Sequence, residues 1–244
     1  MKKVPETDAI FERLATVNPA ADADETVLRL SVDAKATILL GLFSRGDYSR
    51  LTVKALDHDF GADKKVTPVG VFLPHAKRNE LFLFLTTCPV TADLIVDCIH
   101  QTWLMMADRL PQVRTLLINL DNGPENHSRR TQFMKRLTDF VDHLGLTIDL
   151  AYYPPYHSKY NPIERVWGVL EQHWNGSLLD TLETVRHFAQ TMTYNGVRPV
   201  VEVVTTTYHT GVKLSQKAMA KLEERFERLP GLEKYFVRIA PLSS

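Results

Sequence analysis

Thr115-Leu116-Leu117-Ile118-Asn119-Leu120-Asp121-Asn122-Gly123-Pro124 is the stretch from which the architecture can be read. Its short apolar run is what a strand buried on both faces looks like. The run stops at an aspartate, and Asp121-Asn122-Gly123-Pro124 has the chemistry of a turn. Upstream, Leu94, Ile95, Cys98, Ile99, Met106 and Leu110 share one helical face, with Thr91 as the cap. Downstream, Phe133, Leu137, Phe140, Val141 and Leu144 recur at helical spacing, and Gly145 ends that helix. Residues 146–151 read as a second strand. Asn161-Pro162-Ile163-Glu164 opens another helix, with Asn161 as N-cap and Pro162 at the first helical position. Ile163, Val166, Trp167, Leu170 and Trp174 form its buried face.

Further out, Leu28, Leu30 and Val32 alternate with Arg29, Ser31 and Asp33, a strand of period two. Residues 37–43, 66–73 and 81–87 read as three more strands, joined in series and antiparallel. The order is thus strands first, then helix, strand, helix, strand, helix. It predicts an α/β protein with a mixed sheet flanked by helices, and it matches the ribonuclease-H-like fold. An α-rich C-terminal extension follows. Asp180-x-x-Glu183 caps a helix carrying Leu182, Val185, Ala189 and Met192. Residues 200–207 are strand-like, residues 215–229 form an amphipathic helix, and residues 235–239 form a last strand. The first 25 residues read as one short helix and then a loose linker over residues 18–24. The division expected is a linker or remnant at 1–26, a ribonuclease-H-like domain at 27–178, and an extension packed on it at 179–244.

The chain has 244 residues, 44% of them hydrophobic and 24% charged, as in an ordinary soluble globular protein. No apolar run approaches the ~20 residues that span a bilayer. Met1-Lys2-Lys3-Val4-Pro5-Glu6 does not begin a secretory signal. Two cysteines, Cys88 and Cys98, form neither a disulfide framework nor a zinc site by themselves, and read as core. The expected compartment is the cytoplasm, with no membrane and no small-molecule substrate. The 29 basic and 29 acidic side chains cancel, which counts against a free-standing DNA-binding module.

Three carboxylates sit at element ends. Asp33 closes the first strand and Asp121 the buried one. Glu164 lies in the first turn of its helix, rotated roughly 100° from Ile163 and the buried stripe. Gly168 one turn on leaves room above it. Each has a plain structural alternative: Asp33 terminates a strand, Asp121 starts a turn, and Glu164 completes a capping box. Their joint placement points elsewhere. Two aspartates at neighbouring strand ends repel, and a hard divalent cation relieves that repulsion. With a helical glutamate they can hold two Mg²⁺ ions, or Mn²⁺ in their place, about 4 Å apart for in-line phosphoryl displacement.

Three blocks carry a family resemblance. Ser31-Val32-Asp33-Ala34-Lys35-Ala36-Thr37, with Gly41 and Phe43-Ser44-Arg45-Gly46, resembles the first catalytic block of a bacterial DDE transposase. Asp121-Asn122-Gly123-Pro124-Glu125-Asn126 resembles the second. Tyr153-Pro154-Pro155-Tyr156-His157-Ser158-Lys159-Tyr160-Asn161-Pro162-Ile163-Glu164 resembles the third. Together they are similar to insertion-sequence transposases of the Rhodopirellula-type DDE family, distant relatives of the mariner group, over about residue 27 to the C-terminus. The resemblance implies that Asp33, Asp121 and Glu164 bind metal. It also implies that strands are cleaved by water and the freed 3′-hydroxyl is joined to target DNA. Transposon ends and target DNA are then the partners, with a homo-oligomer at synapsis and a nucleoid-associated protein. Asp121 and Glu164 stand 43 positions apart, more than is usual in mariner-like enzymes. Such relatives also carry an N-terminal helix-turn-helix region, for which this chain has no room. Two alternatives stay open: a nuclease of the same fold that only hydrolyses, and an inactive remnant that binds DNA.

Candidate DNA contacts lie around these blocks. Lys35, Lys159 and Arg165 flank the carboxylates, and Arg129, Arg130, Lys135 and Arg136 follow the second block. Asn126 is placed to orient a metal ligand or DNA. Tyr152, Tyr153, Tyr156 and Tyr160 make an aromatic loop suited to an unpaired base or to packing, and His157 lies among them. Trp167 and Trp174 read as core. Two bound Mg²⁺ would move the formal charge from zero to +4 at the site. The expectation is a chain that does chemistry but binds DNA weakly and with little sequence preference.

Overall fold

The computed structural model describes residues 3–41, 64–75 and 78–242. Its centre is a mixed sheet in the order β7-β4-β3-β1-β5-β6-β9-β8. The strands are β1 (Val27–Ala34), β2 (Ile38–Leu39), β3 (Lys65–Phe72), β4 (Leu81–Thr86), β5 (Thr115–Leu120), β6 (Thr147–Tyr152), β7 (Val200–Val203), β8 (Phe226–Arg228) and β9 (Phe236–Ile239). β1, β3 and β4 form the expected antiparallel meander. β5 joins parallel to β1, and β6 parallel to β5. β2 is only two residues long and pairs with β3. The rest of the strand expected over residues 37–43, with Phe43-Ser44-Arg45-Gly46, lies outside the described residues.

Side-chain parity divides the interior. Phe82 and Phe84 join the core cluster under α2 (Ala92–Met106) and α3 (Thr131–Leu144). Leu81, Leu83 and Leu85 point the other way, to α4 (Ile163–Trp174) and α5 (Leu182–Thr191). β4 is therefore wholly buried, because both faces of the sheet are covered. Thr91 caps α2 by accepting from the Leu94 N–H, and Gly145 ends α3 in the left-handed conformation at φ 67°.

Four local expectations are corrected. Residues 18–24 are not a loose linker: α1 (Thr7–Ala23) runs straight through Pro19. Ile10, Leu14 and Ala21 are buried in the main core, Asn18 Oδ1 accepts from Asn119 Nδ2, and Asp22 pairs with Arg29 at 2.5 Å. These tertiary ties override a weak local propensity. The cap of α5 is Thr181, which accepts from the Thr184 N–H, and not Asp180. The strand expected over 200–207 ends at Val203. The helix expected over 215–229 stops early, as α6 (Gln216–Glu223), and Phe226–Arg228 becomes β8. Arg225 there makes two 2.6 Å hydrogen bonds to Asp142, and Arg228 donates to the carbonyls of Ser128 and Glu233. A continued helix would forfeit both anchors. Residues after 178 thus supply three strands of the sheet as well as α5 and α6.

Because α1 belongs to the core, Ile10→Ala should destabilise the chain by about 2–5 kcal/mol, the range for truncating a fully buried aliphatic side chain. Urea unfolding measures it, and a loss under about 0.5 kcal/mol would show that α1 is an accessory element.

Candidate metal centre

β1 and β5 run parallel with Ser31 opposite Asn119. Two residues further along each lie Asp33 and Asp121, so the shared register delivers both carboxylates to the same end of adjacent strands. Both are on the face that carries α1 and α4, where Arg29 meets Asp22 and Ser31 meets α4. Glu164 enters from the first turn of α4. One carboxylate oxygen from each of Asp33, Asp121 and Glu164 lies within 4.8 Å of the others.

The helix is docked by a buried polar relay. Ser31 Oγ donates to Asn161 Oδ1 at 2.5 Å and accepts from the Ile163 N–H at 3.0 Å. Asn161 Nδ2 donates to the Val32 carbonyl at 3.4 Å and to Asp121 Oδ1 at 3.3 Å. Ser31 and Asn161 are both fully buried. The N-cap expectation for Asn161 is therefore corrected in part. Its backbone is extended and its carbonyl accepts from the Glu164 N–H, as at an N-cap, but its side chain is spent on the sheet and on Asp121. The Ser31 hydroxyl serves the free helix N–H instead.

Trp167, expected only as core, is buried and also donates from Nε1 to Asp33 Oδ2 at 2.9 Å. Its signal was its place one turn beyond Glu164, an i, i+3 neighbour on the helix. Gly70, paired with Asp33 across β1 and β3, makes this approach possible. A Cβ there would sit 2.6 Å from both Ile163 Cδ1 and Trp167 Cη2. At Gly168, by contrast, a Cβ would meet nothing within 4 Å, so the space there does not depend on glycine.

Burial, with Asp121 and then Glu164 close by, pushes the Asp33 carboxyl up to about 7, against the Trp167 hydrogen bond. Burial and the nearby Glu164 push Asp121 up to about 6, against the Asn161 hydrogen bond. Three converging oxygen donors, two of them reluctant to ionise together, are a fitting donor set for a hard divalent cation.

Lys35 is mostly buried, pairs with the half-exposed Glu171 at 2.7 Å and lies over the Trp174 ring. Arg130 pairs with Glu125, Lys135 with Asp139, and Arg136 with Asp93 and Asp97; Arg129 is exposed, and the Lys135 side chain stays half exposed in its ion pair. Asn126 is buried, and its Oδ1 has no hydrogen-bond partner among the described residues. Tyr152, inside the core, donates to the Asn126 carbonyl at 2.6 Å. His157 is buried with Nδ1 against the Pro155 carbonyl. Tyr153 is buried too, while Tyr156, Lys159, Tyr160 and Arg165 are exposed.

A family model described as Rhodopirellula transposase DDE domain matches residues 1–241. No curated protein matches the sequence. Among solved structures, the Mos1 mariner paired-end complex with Mn is 10% identical, with a TM-score of 0.52, covering 77% of this chain and 54% of that one. The Mos1 paired-end complex with the left transposon end (13% identity, TM-score 0.49, 75% and 52% covered) and the Mos1 strand transfer complex (14%, 0.45, 75% and 51%) are also similar. The chain spans about half the length of these Mos1 chains. At such identity the likeness is one of fold, and the fold is ribonuclease-H-like.

Raised carboxyl pKa values mean that the folded chain keeps protons the unfolded chain has released. Their stabilising contribution is complete below about pH 4 and is lost as pH rises through about 6 and then about 7. In chelator, Asp33→Asn should therefore melt above wild type at pH 8, by roughly a few degrees, with the gap closing toward pH 4. Melting curves across pH check this, and a constant gap would refute it. Gly70→Ala should cost about 1–3 kcal/mol, as over-packing does, measurable by urea unfolding.

Proposed function

The chain belongs to the Rhodopirellula transposase DDE domain family, and from that membership we propose that it is the catalytic domain of an insertion-sequence transposase, which cleaves DNA strands and joins the freed ends to target DNA. The observation that carries this reading is the convergence of Asp33, Asp121 and Glu164, from two parallel strand ends and one helix, within 4.8 Å. The substrate is DNA, as transposon ends and as target, and the working form is an oligomer that holds two ends together. Among the described residues no helix is long and apolar enough to cross a membrane, and the expected place of action is the cytoplasm, at the nucleoid.

Asp33, Asp121 and Glu164 would hold Mg²⁺, or Mn²⁺, as two ions. Bound there, the metal supplies activation of the attacking oxygen and stabilisation of the leaving 3′-oxygen. The protein's own contribution is positional. Trp167 occupies Asp33 Oδ2 and Asn161 occupies Asp121 Oδ1, so each aspartate is held in one orientation before any substrate arrives. Such partners typically contribute about 10–100-fold to metal affinity or activity. Glu164 is fixed by its helix, and the helix by Ser31. In the first step, water attacks the phosphorus and the bond to the 3′-oxygen breaks, leaving a 3′-hydroxyl and a 5′-phosphate. In the second, that hydroxyl attacks a target phosphodiester, its proton is released to solvent, and a target 3′-oxygen departs.

Asp33→Asn, Asp121→Asn and Glu164→Gln should each reduce cleavage and joining by about a hundredfold or more while the protein stays folded. They should also abolish the rise in melting temperature that Mg²⁺ gives wild type. A strand-transfer assay with a pre-cut 3′-hydroxyl end reads the second step alone. Hydrolysis without joining would identify a nuclease, and full activity in any of the three variants would refute the site.

A further inference from the structure

The loop that leads into α4 carries a feature the carboxylate site does not use. Tyr156 and Tyr160 expose 66% and 49% of their surface, whereas Tyr152 and Tyr153 just before them are buried. An exposed aromatic ring presents a flat apolar face and a polar tip that a partner can use. Tyr160 is set in a cluster of rings. The Phe11 ring of α1 meets Tyr160 edge-on at 5.0 Å and His157 at 5.5 Å. His157 lies nearly parallel to Tyr160 at 6.1 Å, and its own Nδ1 is held by the Pro155 carbonyl. Tyr156 takes φ 68°, a left-handed conformation that is unfavourable for a residue with a side chain, and it is held there at the surface.

One cation lies on this ledge and another follows it in the chain. Lys159 Nζ sits 5.2 Å over the Tyr160 ring, and Arg165 is exposed in the first turn of α4. Tyr160 is bonded directly to Asn161, whose amide reaches Asp121. The ledge therefore begins one residue from the relay that holds the carboxylates. Exposed ring faces with neighbouring cations are what proteins use to hold unpaired bases with little sequence preference, the rings stacking and the cations meeting phosphates.

We propose that Tyr160, buttressed by Phe11 and His157, and the exposed Tyr156 stack on unpaired nucleobases of the DNA strand presented to Asp33, Asp121 and Glu164. Lys159 shifts from the Tyr160 ring to a backbone phosphate when a base takes its place. The inference rests on the phosphoryl-transfer reading for the strand's direction, and it deepens that reading: the substrate class becomes a duplex with locally unpaired nucleotides. It also gives α1 a part in DNA binding, through Phe11.

The test uses the full chain in chelator, where no cleavage occurs. The probes are a blunt duplex and the same duplex with a short unpaired 3′ extension carrying 2-aminopurine. Wild type should bind the extended probe about tenfold or more tightly than the blunt one and quench the 2-aminopurine. Tyr160→Phe should keep both effects, and Tyr160→Leu should lose both at an unchanged melting temperature. Tyr156→Leu, at the more exposed position, gives the same reading if Tyr160→Leu melts early. Equal affinity of wild type for the two probes, or a preference and quench that survive both leucine variants, overturns the proposal. Cleavage of DNA in Mg²⁺ reads the carboxylate site separately. Cleavage without a tyrosine-dependent preference removes only the ledge, and a preference without cleavage removes only the phosphoryl-transfer reading.

Discussion

Ser31 Oγ, placed between Asn161 Oδ1 and the Ile163 N–H, is the contact on which the site depends. It fixes the start of α4 against the middle of β1, and everything that α4 brings to the site follows from that placement. Asn161 extends the link to the Val32 carbonyl and to Asp121. The relay is buried and its members satisfy one another, so losing one would strand the others in a medium where an unpaired polar group is costly. Stability and site geometry are therefore set by the same few atoms.

The site is also a point of electrostatic tension. Asp33 and Asp121 are desolvated and crowded with a third carboxylate, and both are pushed toward the neutral form. Two hydrogen bonds, from Trp167 and Asn161, work against that push without removing it. A fold holding three carboxylates this close gives up stability that a bound cation can restore, which is how functional sites differ from ordinary packing. Gly70 belongs to the same arrangement, since only a residue without a side chain lets Trp167 reach across β3 to Asp33.

Much of this was legible because the informative residues are local. The apolar run ending at Asp121 marks β5, and the spacing of Phe133, Leu137, Phe140 and Val141 marks α3 with Gly145 as its end. What misled was also local. Pro19 among small and acidic residues looks like a linker, yet Asn18 and Asp22 are tied to β5 and β1. Residues 215–229 are amphipathic throughout, yet the last part pairs with β9, with Phe226 opposite Ile239. Asn161 looks like a helix cap, and Trp167 looks like core, because each role is visible from neighbours in sequence. Their second roles, toward Asp121 and Asp33, involve partners 40 and 134 positions away.

The sequence by itself determined which segments become strands and helices near the site, and it placed three acidic residues at the ends of three of them. Periodicity, caps and turn residues act within a few positions, so a linear reading can find them. Only the tertiary structure decided that those ends meet. It settled that Ser31 and Asn161 dock the helix, that Lys35 is engaged by Glu171 and Trp174, that His157 is buried, and that Phe11 of α1 stands against the exposed Tyr160. Such facts depend on which faces are buried against each other, and burial is a property of the whole sheet with its two covered faces. A strand pattern specifies two faces, but it does not say what will cover them.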